Sequence, residues 1–179
     1  MRQEWFHSVV GDCRPIAPFV RLVPPGSRIV DYGCGTAEWL RRAWIDRGGK
    51  TVLVDQAGPL QAYLHSKYPL LRGEILTAAD WQQRGPATTA LVCLDVLEHV
   101  PAPLQLLAQL WDTLPPGGIA ALWFDPSDPH PGHLPESIAQ LPQYWEFLHR
   151  HGDVLAERPL TLVRKRRRLW AFFTKKWWQ

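Results

Sequence analysis

Two acids and two glycines stand at spacings that suit a ligand with a ribose. Asp31, Gly33 and Gly35 lie in the stretch IVDYGCGTAEWLRRAW (Ile29–Trp44), and Asp55 follows Gly35 by 20 positions. Glycines let the backbone approach a ligand closely, and the N-terminus of a following helix directs its amides at that ligand. A carboxylate at this offset can accept hydrogen bonds from both hydroxyls of a ribose. We therefore predict a ligand site rather than a simple turn.

Asp31 distinguishes between two classes of nucleotide ligand. A dinucleotide presents a pyrophosphate, which backbone amides bind and a nearby carboxylate repels. An ammonium group is attracted by the same carboxylate. The pattern favours a cationic ligand and leaves a nicotinamide dinucleotide as a distant alternative.

The order of predicted strands and helices along the chain indicates a fold that brings these residues together. Apolar runs rich in β-formers alternate with helical patterns, which predicts parallel strand–helix–strand units with helices on both faces of a sheet. The predicted strands are Ser27–Tyr32, Thr51–Val54, Gly73–Leu76, Ala90–Leu94, Ile119–Phe124, Pro159–Val163 and Leu169–Thr174. The predicted helices are Pro15–Leu22, Ala37–Arg47, Leu60–Tyr68, Leu104–Thr113 and one that ends near His151. Ligands of such sheets bind at the carboxyl ends of the strands.

Length and composition indicate one globular domain. Of 179 residues, 46% are hydrophobic and 21% are charged, which is ordinary for a protein with a buried core. The cysteines Cys13, Cys34 and Cys93 are far apart, which favours a reduced, cytoplasmic protein in which Cys34 and Cys93 are small buried residues. We expect no signal peptide and no transmembrane segment. A net charge of +3 does not by itself indicate a nucleic-acid partner, and nothing indicates an oligomeric state.

Four stretches resemble motifs of the S-adenosylmethionine-dependent methyltransferases with the Rossmann-like fold, closest to the branch that modifies small molecules. They are VDYGCGTA (30–37), LVDQ (53–56), AADW (78–81), and CLDVLEHV (93–100) followed by LPPGGIAALWF (114–124). The resemblance implies an α/β fold: a doubly wound, mostly parallel seven-stranded sheet whose last two strands form an antiparallel hairpin. It implies one domain over residues 1–179. Its parts are a helical segment (1–26), a cofactor-binding core (27–124) and an acceptor-side segment (125–179).

The resemblance also implies a site for S-adenosylmethionine, which leaves as S-adenosylhomocysteine. Asp31 is expected to hold the methionine ammonium and Asp55 the ribose. The other implied contacts are Gly33, Cys34 and Gly35 through the backbone, Gln56 beside the adenine, Asp80 at the adenine amine, Trp81 as an apolar wall, and Leu94 and Asp95 at the sulfonium end. An alternative for Asp80 is that it caps a helix before Trp81.

Three histidines are candidates for accepting a proton from a hydroxyl acceptor, since histidine titrates near neutral pH. His99 matches the family's Glu-His pair, with a structural role at the following helix as its alternative. His130 and His133 lie in the loop FDPSDPHPGHLPE after the fifth predicted strand. With Asp125 and Asp128 they could bind a metal, but the prolines favour an acceptor-side loop, and we predict no metal.

The C-terminal stretch VRKRRRLWAFFTKKWWQ mixes cations with aromatic residues, which can bind RNA or an anionic membrane surface. We favour a solvated hairpin turn at Arg164–Arg168 followed by a buried strand. The predicted function is methyl transfer to a small-molecule, saccharide or secondary-metabolite acceptor, at oxygen. The alternatives are a non-catalytic cofactor-binding partner subunit and an RNA methyltransferase that uses the basic C-terminus.

Overall fold

Seven strands form one sheet in the part of the chain that the computed structural model describes, residues 16–84, 88–124, 131–157 and 160–166. The strands are β1 (Arg28–Tyr32), β2 (Lys50–Asp55), β3 (Ile75–Thr77), β4 (Ala90–Leu94), β5 (Ile119–Trp123), β6 (Gly152–Ala156) and β7 (Thr161–Lys165). Their order is β3-β2-β1-β4-β5-β7-β6. The first five are parallel, and β7 runs antiparallel to β5 and β6. The predicted fold class is confirmed.

Helices connect most of the strands. They are α1 (Ala17–Leu22), α2 (Glu38–Arg41), α3 (Pro59–Lys67), α4 (Ala78–Arg84), α5 (Pro103–Thr113), α6 (Pro135–Ile138) and α7 (Leu141–His151). Short 3₁₀ turns occupy Ile45–Arg47, Pro69–Glu74 and Leu97–His99. None of the described helices has the length and apolar character needed to cross a bilayer.

Two apolar clusters pack against opposite faces of the sheet. Val30 of β1 joins a cluster that includes Leu107 of α5. Its neighbour Ile29 joins another, with Phe19 of α1 and Leu40 of α2. Successive strand residues point to opposite faces, so α5 lies on one side of the sheet and α1 and α2 lie on the other.

The connections between strands reverse direction at β1, which lies between β2 and β4. Asp31 pairs in register with Leu53 of β2 and Val92 of β4. The carboxyl ends of these three parallel strands therefore meet at one edge of the sheet, where such folds bind ligands. Asp31 and Asp55, the last residue of β2, both stand at this edge.

The C-terminal hairpin begins earlier in the chain than predicted. β6 starts at Gly152, immediately after α7, and the predicted strand Pro159–Val163 corresponds to β7. The predicted strand Leu169–Thr174 lies outside the described residues. The sequence misses β6 because the strand is short and begins with Gly152 and Asp153, residue types that are depleted in strands, so that only three apolar residues remain to indicate it.

Two residues of the basic block are strand residues, not part of a solvated turn. Arg164 and Lys165 belong to β7. The ammonium group of Lys165 donates to the carbonyls of Trp111 and Leu114, at 2.6 and 2.8 Å. Carbonyls at the end of a helix lack intrahelical partners and favour a cation. This lysine therefore joins α5 to β7.

The predicted helix Ala37–Arg47 is also shorter in the structure, because α2 ends at Arg41. Trp44 has non-helical torsions, φ −136° and ψ −55°. Its indole N–H donates to the carbonyl of Lys50 at 3.1 Å. A Cβ at Gly49 would lie 2.3 Å from the indole nitrogen. The chain thus turns around this ring instead of continuing the helix.

Candidate functional site

A cavity of about 400 Å³ opens at the carboxyl ends of β1, β2 and β4. Nine of the predicted site residues line it: Asp31, Gly33, Cys34, Gly35, Asp55, Gln56, Leu94, Asp95 and His99. His133 contacts His99 beside it, whereas His130, Asp125 and Asp128 lie outside the described residues. The volume is within the range of small-molecule sites.

The glycine turn after β1 needs both of its glycines. Gly33 and Gly35 have φ of +71° and +50°, a region that disfavours residues with a Cβ. The amides of Gly33 and Cys34 both donate to the carbonyl of Val54, at 2.8 and 3.1 Å. A Cβ at Gly33 would lie 2.2 Å from Cγ2 of Val96. The turn is therefore held against the ends of β2 and β4.

Asp55 connects the end of β2 to this turn. Its Oδ2 accepts from the amide of Gly35 and its Oδ1 from the amide of Gln56, each at 2.7 Å. A carboxylate has about four acceptor positions, so two bonds leave capacity for the hydroxyls of a ligand. The side chain both orders the turn and lines the cavity.

Asp31 is the most perturbed carboxyl in the cavity lining. It is 4% exposed. Burial raises its pKa to about 7, and the negative charge of Asp55 adds to the rise. A positive charge nearby would stabilise the ionised form of this desolvated carboxyl. A cationic ligand in the cavity would supply that charge.

Two residues other than glycine adopt left-handed backbone conformations, and both border the site. Ala37 has φ of +58° just before α2, and Asp95 has φ of +58° just after β4. Such torsions are rare for residues with a Cβ, and they tend to occur at functional sites. Ala37 thus adopts a left-handed conformation even though it has a methyl group.

Asp80 and Trp81 do not line the cavity. Oδ2 of Asp80 accepts from the hydroxyl and the amide of Thr77, at 2.7 and 3.3 Å, and the Asp80 amide donates to the same hydroxyl at 3.0 Å. These reciprocal bonds form a capping box at the start of α4 and lower the pKa of Asp80. Trp81 is buried against Tyr32. Asp80 therefore takes part in capping, as the alternative held, but it does so from within the first turn of α4, and Thr77 occupies the N-cap position.

Asp95, His99 and His133 form a polar rim on the other side of the cavity. Oδ1 of Asp95 lies 3.8 Å from Nε2 of His99, and the rings of His99 and His133 pack edge to face with centroids 4.8 Å apart. Nδ1–H of His99 donates to the carbonyl of Gly132 at 2.9 Å. The Leu134 amide donates to the carbonyl of Glu98 at 2.8 Å. The segment after β5 is thereby joined to the end of β4.

The sequence did not single out several lining residues. These are Tyr32, Thr36, Glu38, Trp39, Leu60, Ala78, Val96 and Val100. Lys67 forms an ion pair with Glu38 and donates to the carbonyl of Thr36. The hydroxyl of Tyr68 donates to the same carbonyl at 3.1 Å. α3 therefore supports the glycine turn, a long-range contact that local patterns do not reveal.

The cysteines at the site are buried, as the sequence predicts. Cys34 is 6% exposed and Cys93 is fully buried. Burial raises the pKa of both thiols well above the usual range, so neither forms a thiolate at neutral pH. Neither is therefore suited to nucleophilic attack.

Comparisons with known proteins agree on one family. A family model described as a methyltransferase domain matches residues 11–166. The ubiquinone biosynthesis O-methyltransferase of Xanthomonas campestris pv. campestris (strain B100) is 32% identical over 103 residues, which are 55% of this chain and 43% of that protein. The trans-aconitate 2-methyltransferase of Afipia carboxidovorans is 26% identical over 153 residues, 82% of this chain and 58% of that protein.

Solved structures share the fold. An O-methyltransferase family 2 protein from Planctomyces limnophilus, in complex with apigenin, superposes with a TM-score of 0.61 at 15% identity, over 89% of this chain and 59% of that one. An O-methyltransferase family protein from Burkholderia thailandensis has a TM-score of 0.59 at 13% identity, over 90% and 58%. The chain thus spans about half the length of the curated relatives and somewhat more of these structures.

Proposed function

We propose the function of this chain from one premise, that it belongs to the methyltransferase domain family. It transfers the methyl group of S-adenosylmethionine to an oxygen atom of a small-molecule acceptor. The observation that carries the proposal is the pair of carboxylates in one cavity, Asp31 and Asp55, on either side of a glycine turn. S-adenosylmethionine supplies an activated methyl group on a sulfonium, and it carries the ammonium and the ribose that these two carboxylates suit.

Different residues of the cavity bind different parts of the cofactor. Asp31 binds the ammonium, whose charge offsets the cost of the buried carboxylate. Asp55 accepts from the ribose hydroxyls while it holds the Gly35 amide. Gln56, with the apolar side chains of Leu60 and Ala78, accommodates the adenine. Asp80 is left out because its carboxylate caps α4.

The acceptor lies between the sulfonium end of the cavity and the polar rim. Leu94 and Asp95 border that end, and orientation of the reactants supplies much of the acceleration in such a transfer. A hydroxyl acceptor must also lose a proton. Asp95, His99 and His133 are the residues that we propose to assist this loss of the hydroxyl proton. The names of two curated relatives, for ubiquinone biosynthesis and trans-aconitate, support a small molecule as acceptor.

Transfer of a labelled methyl group tests this function. The chain is incubated with S-adenosylmethionine carrying a radioactive methyl group and a panel of phenols, hydroxy acids, carboxylates and saccharides, with RNA included. We expect label in a small-molecule product and none with Asp31→Asn. Cofactor binding without transfer to any acceptor would instead indicate a non-catalytic partner subunit, and label in RNA alone would indicate a nucleic-acid modifier. Both outcomes contradict the proposal.

A further inference from the structure

The polar rim brings together three metal-binding side chains from separate parts of the chain. One donor atom each from Asp95, His99 and His133 lies within 4.8 Å of the other two. Asp95 follows β4, His99 ends a 3₁₀ turn, and His133 follows β5 by a loop. Two histidines with one carboxylate are ligands that first-row divalent ions accept, whereas magnesium and calcium prefer oxygen alone.

The hydrogen bonds of His99 leave the appropriate nitrogen facing the rim. A carbonyl can only accept, so the 2.9 Å contact with Gly132 places the proton of the neutral ring on Nδ1. Nε2 then presents its lone pair toward Asp95, at 3.8 Å from Oδ1. A cation between these two groups would be attracted by both the lone pair and the carboxylate. A carbonyl bonded to the outer nitrogen is also the usual support of a metal-binding histidine.

The distances require only side-chain adjustment. Two ligands of a tetrahedral ion with bonds of 2.0–2.2 Å lie about 3.4 Å apart. The 3.8 Å between Asp95 and His99 is close to that value. The third ligand, His133, is kept near the other two by a backbone hydrogen bond, since the amide of Leu134 donates to the carbonyl of Glu98 at 2.8 Å.

We propose that Asp95, His99 and His133 bind one first-row divalent transition-metal ion at the acceptor end of the cavity. This inference rests on the proposed function, because the ion's remaining coordination position takes the acceptor hydroxyl. Coordination lowers the pKa of a bound hydroxyl. The hydroxyl then releases its proton to water, and no other bond forms or breaks in that step. The ligand set differs from the loop residues that the sequence offered, since only His133 is common to both.

Binding of Co²⁺ alone tests the site. The chain, free of any histidine tag and stripped of metal with a chelator, is titrated with Co²⁺ while visible absorption is followed. We expect one ion per chain. Affinity should fall more than about tenfold in His133→Ala and in Asp95→Asn, because each loses a ligand. His149→Ala, which removes an exposed histidine of α7, should leave it unchanged.

A second titration separates this inference from the proposed function. Calorimetry with S-adenosylmethionine in the presence of the chelator should show intact binding, since the cofactor contacts do not include the ion. Absent Co²⁺ binding, or equal Co²⁺ affinity in all three variants, overturns the ion site. Intact cofactor binding in that case leaves the methyltransferase proposal unaffected. Lost cofactor binding beside specific Co²⁺ binding contradicts the proposed function and leaves the ion site standing.

Discussion

Cofactor binding should weaken as the pH falls below 7, because a buried carboxylate titrates there. Burial, with the charge of Asp55 as a second cause, raises the pKa of Asp31 from 3.8 to about 7. An ammonium group binds the ionised carboxylate and gains little from the protonated form. A group with this pKa is about 76% ionised at pH 7.5 and about 3% at pH 5.5. The dissociation constant should therefore rise about 25-fold between those two values.

The same titration acts on stability in the opposite direction. Between pH 4 and 7 the folded protein keeps a proton on Asp31 that the unfolded chain has released, so the free energy of unfolding falls as the pH rises. At about 1.4 kcal/mol per pH unit, the loss is at most about 4 kcal/mol. Asp31→Asn removes this loss, and we expect the variant to unfold at higher urea concentration than wild type at pH 7.5.

Calorimetric titration with S-adenosylhomocysteine at pH 5.5, 6.5 and 7.5 measures the effect. This product keeps the ammonium and the ribose and is not consumed. Asp31→Asn is the matched control, because its amide has nearly the same shape and does not titrate. We expect weak, pH-independent binding in the variant. A wild-type dissociation constant that stays constant over this range, or that changes equally in Asp31→Asn, would refute the reasoning.

Three further sets of substitutions test the geometry in and around the cofactor half of the cavity. Gly33→Ala should lower the free energy of unfolding by about 2–4 kcal/mol, measured by urea denaturation, because it combines a left-handed φ with overlap on Val96; adding Val96→Ala should restore part of the loss, and a fully tolerated single variant would contradict the turn geometry. Asp55→Asn should lower the pH at which cofactor binding weakens, since it removes the charge that is the second cause of the raised Asp31 pKa. An unchanged pH dependence would count against this effect of Asp55 on Asp31. Asp80→Asn and Thr77→Ala should lower the melting temperature alike and leave cofactor affinity unchanged, because both break one capping box; selective loss of affinity in Asp80→Asn would restore the adenine role that the resemblance implies.

The cofactor half of the cavity could be predicted because its residues follow local rules. Asp31 and the two glycines fall within five positions at the end of one strand, and Asp55 ends the next. Parallel strands bring their carboxyl ends together whatever else the chain does. Strand alternation and turn composition therefore sufficed to place these residues in one cleft.

The acceptor half depends on contacts that no local pattern contains. His133 reaches His99 because a backbone hydrogen bond from Leu134 to Glu98 joins the segment after β5 to the turn after β4. The sequence placed His133 in a proline-rich loop and could not distinguish the residues it meets. The contacts of Asp80, in contrast, are local, because its partner Thr77 lies three positions earlier. The family motif nevertheless predicts a contact with the adenine for this residue.

The last hairpin was misplaced for a third reason. Gly152 predicts the end of a helix, and it is also the first residue of β6. A Cβ there would lie 2.3 Å from Cγ1 of Val163, so close packing on β7 requires glycine. Because Gly152 indicates a helix end, the short strand that starts at the same residue was not recognised.

The most direct measurement is equilibrium binding of S-adenosylmethionine and NAD⁺ at pH 7.5 to the wild-type chain, Asp31→Asn and Asp55→Asn. We predict one S-adenosylmethionine per wild-type chain, strongly weakened binding in both variants, and no comparable binding of NAD⁺. Unchanged S-adenosylmethionine affinity in both variants, or a preference for NAD⁺, would contradict the assignment of this cavity.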